Sequence, residues 1–231
     1  MELKTIRRQL DSQGFAWIRS AVSPQECMEL KAELAQLGIP VGRGGVRHIE
    51  KKSGKLAAFA KNGVVATMAA QLLSDEARLV RGIWFDKIPE QNWLVSWHQD
   101  ITVTAQSRFD EPGWDIWSEK DGVLHVQPPL DVLQSMVTFR LHLDPATSRN
   151  GCLKVLPRSH LQGIHRDAFS VDEGQIEYCE AAVGDLLLMS PLLWHSSSKS
   201  LASEGRQILH FEYGAHLKSE QLGWQLLELN Q

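Results

Sequence analysis

Within Trp97-His98-Gln99-Asp100 an imidazole and a carboxylate stand two residues apart. On a strand, side chains two apart leave the same face, so His98 and Asp100 offer two corners of a metal site. A second imidazole would complete a set of two histidines and one carboxylate, which leaves positions open on a non-haem Fe(II) ion. His195 is the candidate third ligand. It follows the apolar run from Asp185 to Trp194, a pattern of a buried strand and its continuation. Eleven residues further on, Arg206 starts another strand-like run. A lone His-x-Asp carries little weight where nine histidines and 28 acidic residues share 231 positions, and most such pairs are surface or hydrogen-bonded core groups. The ordered set of His98, Asp100, His195 and Arg206 is what points to oxygen chemistry. Two alternatives remain open from the residues alone: a zinc hydrolase with an open water position, and a catalytically silent jelly-roll binding module.

The elements that must position these residues change in texture along the chain. Leu3, Ile6 and Leu10 share a helix face, with Gly14 as its stop. A short strand is expected over Phe15 to Arg19. Ser23-Pro24-Gln25-Glu26 predicts a capped helix running through Leu30, Leu34 and Leu37 to Gly38, with Glu26 reaching back as a capping box. The glycines at 42, 44 and 45 follow no strand and predict a mobile loop, not a phosphate cradle. Another helix fits Gly63 to Leu73. From Arg78 onward, strands are expected over Leu79–Phe85, Leu94–Ile101, Leu133–Leu143, Cys152–Leu156, Gln175–Glu180, Leu186–Ser190 and Gln207–Tyr213. Residues 102–132 predict a long loop, a length typical of an active-site lid. Helices followed by many strands indicate an α+β fold with a β-sandwich or jelly roll. No repeat or linker interrupts it, so residues 1–231 are expected to form a single domain.

A hydrophobic content of 43% can build a substantial core. The net charge of −4 gives no basic footprint, so no nucleic-acid partner is expected. The local run Arg43, Arg47, Lys51, Lys52 and Lys55 reads as a solvated loop. Cys27, Cys152 and Cys179 are too scattered for a disulfide framework or zinc cluster. With no leader and no membrane-length apolar run, a cytoplasmic setting with no membrane partner is expected.

His98-Gln99-Asp100, the block Asn150-Gly151-Cys152-Leu153-Lys154-Val155-Leu156-Pro157-Arg158-Ser159-His160, the pair Gly184-Asp185, and His195-Ser196-Ser197 with Arg206 together resemble the phytanoyl-CoA dioxygenase family. Its members are Fe(II)- and 2-oxoglutarate-dependent oxygenases. The match runs in order over roughly residues 80 to 215. The resemblance implies a double-stranded β-helix (jelly roll) with N-terminal helices packed on one sheet. It implies His98, Asp100 and His195 as the catalytic iron ligands, Arg206 on the distal carboxylate of 2-oxoglutarate, and Ser197 beside that carboxylate. Lys87 stands where some members carry a lysine or amide, so it is a candidate cosubstrate contact, although a surface lysine at a strand end is the plainer expectation. Halogenating relatives lack the carboxylate that Asp100 supplies, so hydroxylation of a small-molecule substrate is implied, using O2 and yielding succinate and CO2.

Two strands extend the candidate site. Ile208, His210 and Glu212 should share the face of Arg206. Between Leu133 and Leu143, Gln134, Thr138, Arg140 and His142 alternate with Val137, Phe139, Leu141 and Leu143. In a solvated sandwich the polar face would turn outward. In the family this chain resembles, helices cover the outside of one sheet, which would turn Arg140 into the cavity. A buried guanidinium needs an anion, so Arg140 is expected to contact 2-oxoglutarate or an acidic substrate group. The resemblance would place a tryptophan there, a departure that argues against a fatty-acyl substrate. Trp84, Trp93, Trp97, Trp114 and Trp117 crowd the first metal motif as candidate pocket or core groups. His125, Gln127, His165 and His216 are expected near loops, as surface or supporting groups. Asp185 should shape the turn before the His195 strand, and Gly205 the turn into the Arg206 strand.

Overall fold

The computed structural model describes residues 2–40, 45–74, 76–89, 92–165, 171–215 and 222–226. Elements are numbered along the chain. Helix α1 (Leu3–Gln13) ends where Gly14 turns left-handed at φ 86° and donates its N–H to the Leu10 carbonyl. Helix α2 (Pro24–Gln36) begins with Ser23 Oγ accepting from the Glu26 N–H, as its sequence predicts, and Pro24 sits in the first turn. Helix α4 (Val64–Leu72) fills the expected third segment, whereas α3 (Gly54–Asn62), capped by Ser53, occupies a stretch with no predicted element. Of the expected glycine loop, positions 42 and 44 lie outside the described residues.

The larger sheet runs β1 (Phe15–Ile18), β11 (Leu186–Met189), β8 (Met136–His142), β13 (Arg206–Gly214), β3 (Arg78–Lys87) and β14 (Gln225–Leu226), with β2 (Val46–Arg47) also on β3. The smaller sheet runs β10 (Glu177–Cys179), β9 (Leu153–Val155), β12 (His195–Ser197) and β4 (Val95–His98). All these pairings are antiparallel. Residues of both sheets line one cavity, the jelly-roll arrangement.

Alternation along the central strands divides the chemistry. Val137, Phe139 and Leu141 of β8, with Leu209, Phe211 and Tyr213 of β13, pack against Ile6, Leu30, Leu34, Leu56 and Phe59 of the helices. Each such side chain contributes on the order of 1.5–3 kcal/mol by leaving water. Tyr213 also donates its hydroxyl to the Ala60 carbonyl at 2.7 Å, tying β13 to α3. The opposite face carries Arg140, Arg206, His210 and Glu212 into the cavity. The N-terminal helices therefore cover one sheet, and Arg140 points inward.

The expected loop over 102–132 is instead a third sheet. It runs β5 (Val103–Ala105), β7 (Val123–Gln127) and β6 (Asp115–Lys120), followed by helix α5 (Leu130–Gln134). Asp121 and Gly122, at φ 53° and 74°, turn the β6–β7 hairpin, a left-handed pair suited to Asp-Gly. Its own small core of Val103, Trp114, Val126 and Leu133 holds it together. Gln134 belongs to α5 and not to a strand. His125 and Gln127, expected near loops, are buried on β7. The strand expected to reach Ile101 stops at His98, so Asp100 lies just past it.

Asp185 shapes its turn by accepting from the N–H groups of Ser20 and Ala182 and pairing with Arg19 at 2.7 Å. Cys27, Cys152 and Cys179 are free and buried, and burial pushes the thiols of Cys27 and Cys152 up to about 11. Among the described residues, no helix is long and apolar enough to cross a membrane.

Gly184 precedes Asp185 with φ +82°, and a β-carbon there would strike the Val22 carbonyl oxygen. The left-handed conformation alone costs a non-glycine residue roughly 1–2 kcal/mol. Gly184→Ala is expected to lower the melting temperature by about 4 °C or more, read by thermal circular dichroism. An unchanged melting curve would contradict this packing.

Candidate active site

Strand register assembles the metal donors. His195 on β12 pairs directly with His98 on β4, and their rings lie 4.2 Å apart between centroids. Asp100 is fixed by its N–H, which donates to the Pro191 carbonyl at 2.8 Å. Its carboxylate oxygens stand 3.6 Å from His98 Nε2 and 3.5 Å from His195 Nε2. One donor atom from each residue falls within 4.8 Å of the others. Gln99, between the two ligand candidates, turns away and bonds the carbonyls of Gly163 and Leu192, pinning the segment.

The tautomers follow from the partners. Nδ1 of His98 lies 2.8 Å from the Ser96 carbonyl, and Nδ1 of His195 lies 2.8 Å from the Leu193 carbonyl. A carbonyl only accepts, so each Nδ1 carries the proton and each Nε2 turns a lone pair toward Asp100. Burial presses His195 down to about 4 against the pull of Asp100, so it is neutral at physiological pH. Two imidazole lone pairs and one carboxylate, converging on one point, fit a divalent iron ion.

The cavity beside this trio has a volume of about 400 Å³. One end is cationic. Arg206 and Lys87 form a directly paired couple across β13 and β3. Arg206 is buried, and Nη2 donates to the Gly151 carbonyl at 2.9 Å while Nε and Nη1 have no partner. Lys87 is also buried, which corrects the expectation of a surface lysine. It donates to Ser197 Oγ at 3.1 Å and to the Ser198 carbonyl at 2.8 Å. Burial, then Arg206 and Arg140, press its amine down to about 7. Arg140 is buried with Nε unpartnered, and burial followed by Arg206 lowers it to about 9. Three buried cationic side chains thus share a pocket in which no carboxylate pairs with any of them, among the described residues.

The other end holds Arg81, His210 and Glu212. His210 and Glu212 share the face of Arg206, as their spacing predicts. Arg81 carries no signal in the sequence because its partner lies 131 residues away; only the pairing of β3 with β13 brings the two together. Of the five tryptophans, Trp93 lines the cavity, while Trp84 and Trp114 belong to the apolar cores. His165 supports the site through its backbone N–H, which donates to Gln99 Oε1. His216 lies outside the described residues.

Comparison with known proteins identifies the family and the fold. Residues 10–208 match the profile of phytanoyl-CoA dioxygenase (PhyH). No curated protein matches the chain. Several solved structures share the fold at low identity. The non-heme alpha ketoglutarate dependent epimerase SnoN from nogalamycin biosynthesis superposes with a TM-score of 0.69 at 16% identity, covering 92% of this chain and 80% of its own. EvdO2 from Micromonospora carbonacea var. aurantiaca, complexed with 2-oxoglutarate, gives 0.67 at 19% identity, covering 90% and 89%. HygX from Streptomyces hygroscopicus, with nickel and 2-oxoglutarate bound, gives 0.66 at 16%, covering 93% and 87%. The family match spans most of the chain and ends at the strand that carries Arg206, so the protein belongs to the phytanoyl-CoA dioxygenase family of Fe(II)- and 2-oxoglutarate-dependent oxygenases.

Proposed function

We propose that this chain hydroxylates an unactivated carbon of a small molecule, with His98, Asp100 and His195 holding Fe(II) and with Arg206, Ser197, Lys87 and Arg140 holding 2-oxoglutarate. The single observation that carries this reading is the convergence of His98, Asp100 and His195 beside two buried guanidiniums, Arg206 and Arg140, that retain N–H groups without partners. A zinc hydrolase would leave those cations without a role. When bound, iron and 2-oxoglutarate supply the oxidising power, consuming O2 and releasing succinate and CO2.

The protein's own part is positioning. The two Nδ1–H···O=C bonds fix both imidazoles before any metal arrives, so little reorganisation accompanies binding. Asp100 would supply the ligand that halogenating relatives lack, which favours hydroxylation over halogenation. Arg206 presents two unmet N–H groups in a planar fork suited to a carboxylate. Ser197 Oγ, held by Lys87, lies beside it. Arg140 lines the same cavity as Arg206 and the metal donors, and the charges of Arg206 and Asp100 both act on it.

Anaerobic titration of the protein with Fe(II) and 2-oxoglutarate is expected to give a weak visible charge-transfer band. Absence of that band in folded protein would overturn the assignment. His98→Ala and Asp100→Ala should each abolish the band and succinate formation while leaving the melting temperature nearly unchanged, because the apolar core lies on the other face of the sheet. Arg206→Lys is expected to raise the 2-oxoglutarate KM roughly tenfold to a hundredfold, since a charged hydrogen bond contributes about 1.5–3 kcal/mol and lysine lacks the fork. Iron affinity measured without 2-oxoglutarate should move little. Arg140→Leu should likewise weaken 2-oxoglutarate use without loss of iron binding, and an unchanged KM would remove Arg140 from the cosubstrate site.

A further inference from the structure

One buried carboxylate in the cavity is claimed by neither iron nor 2-oxoglutarate. Glu212 is 2% exposed and lines the cavity with the metal donors. Its contacts converge on a single oxygen. Nε and Nη2 of Arg81 both reach Oε1 at 2.9 Å, and His210 Nε2 approaches the same atom at 3.7 Å. The polarity of His210 is set from its other side, where Arg140 Nη1 lies 3.5 Å from Nδ1. A guanidinium only donates, so Nδ1 accepts and Nε2 turns its proton toward Glu212. Among the described residues, no donor reaches Oε2.

A well-packed apolar pair in place of Arg81 and Glu212 would often be as stable or more so. Stability therefore gives no reason for an ion pair here, whereas recognition of a ligand does. The chemistry of that ligand follows from what surrounds it. Oε2 can only accept, and Arg81, whose remaining contact to the Thr102 carbonyl is a long 3.4 Å, can only donate. A hydroxyl group answers both. An ammonium group would share the cavity with Arg47, Lys120 and Arg140, and a second carboxylate would stand beside Glu212 and Asp100.

We propose that Glu212 and Arg81 bind a hydroxyl group of the primary substrate and so place a neighbouring carbon at the metal, which makes the substrate a neutral, hydroxyl-bearing small molecule. This inference rests on the oxygenase function proposed above. Ile101, Leu153 and Trp93 supply the apolar walls against which C–H faces pack. Glu212 stays ionised and so remains an acceptor. Burial would raise its carboxyl, but Arg81 holds it below the usual range.

The test uses the protein loaded with Fe(II) and 2-oxoglutarate and reads succinate release. The probes are neutral cyclic polyols, each paired with its deoxy, amino-deoxy and carboxylate analogues. At least one polyol is expected to raise succinate release above the substrate-free rate. Its deoxy analogue should lose about a hundredfold in kcat/KM, the loss of one hydrogen bond to a charged group. Glu212→Leu, which can neither accept nor donate, should bring the polyol and its deoxy partner close to equality. The double variant Arg81→Met/Glu212→Leu, which leaves no lone buried charge, should do the same, with circular dichroism reporting its fold. The inference fails if the hydroxyl preference survives in either folded variant, or if only amines, carboxylates or acyl compounds stimulate turnover. It also fails if no polyol acts although the iron–2-oxoglutarate band forms. A missing band would instead remove the oxygenase function itself.

Discussion

The direct pairing of His195 with His98 is the contact on which the site depends. It joins two short strands whose register shifts between His195 and Ser197; the imidazoles meet tilted by 53°, and Ser197 accepts from Lys87. A strand slipped by one residue sends every side chain to the other face. Such a slip in β12 would remove a metal donor and uncouple Ser197 from the cationic end together. The neighbouring pairing of β12 with β9 guards against it, since His195 also lies opposite Val155, which is packed in an apolar cluster with Leu187 and Leu193.

The cavity concentrates charge that a folded interior normally excludes. Lys87, Arg81, Arg140, Arg206, Asp100 and Glu212 are all lined up within one jelly roll. Burying them is costly unless each finds a counter-charge or a ligand. The fold separates this cost from its stability. Apolar residues on the far face of the larger sheet pack against the helices, so the interior is free to carry polar groups that serve chemistry. The same alternation that directs Phe139 and Phe211 outward to the helices directs Arg140 and His210 inward.

Much of this is legible in the sequence, and what is not shares a cause. The metal trio can be read because histidine and aspartate at that spacing, followed by a distant histidine, is a rare combination of types. Strict alternation along β8 sets Arg140 on the face opposite Phe139 and Leu141, and only the family resemblance turns that face inward. Residues 102–132 conceal their sheet because its strands are short, half polar and interrupted by a register shift between Asp115 and Ser118, which blurs a period of two. The Asp121-Gly122 turn is the available signal there. The burial of Lys87 and the role of Arg81 depend on cross-strand partners more than a hundred residues away, which no local pattern encodes.

The three thiols acquire a different meaning beside an oxygen-consuming centre. Reactive sulfur is thiolate, and susceptibility to oxidation rises with thiolate content and access. Cys152 adjoins Gly151, whose carbonyl holds Arg206, yet burial keeps its proton in place, and the same holds for Cys179 on β10. Cys152 and Cys179 therefore hold protonated, solvent-shielded sulfur, which makes them poor targets for oxidation.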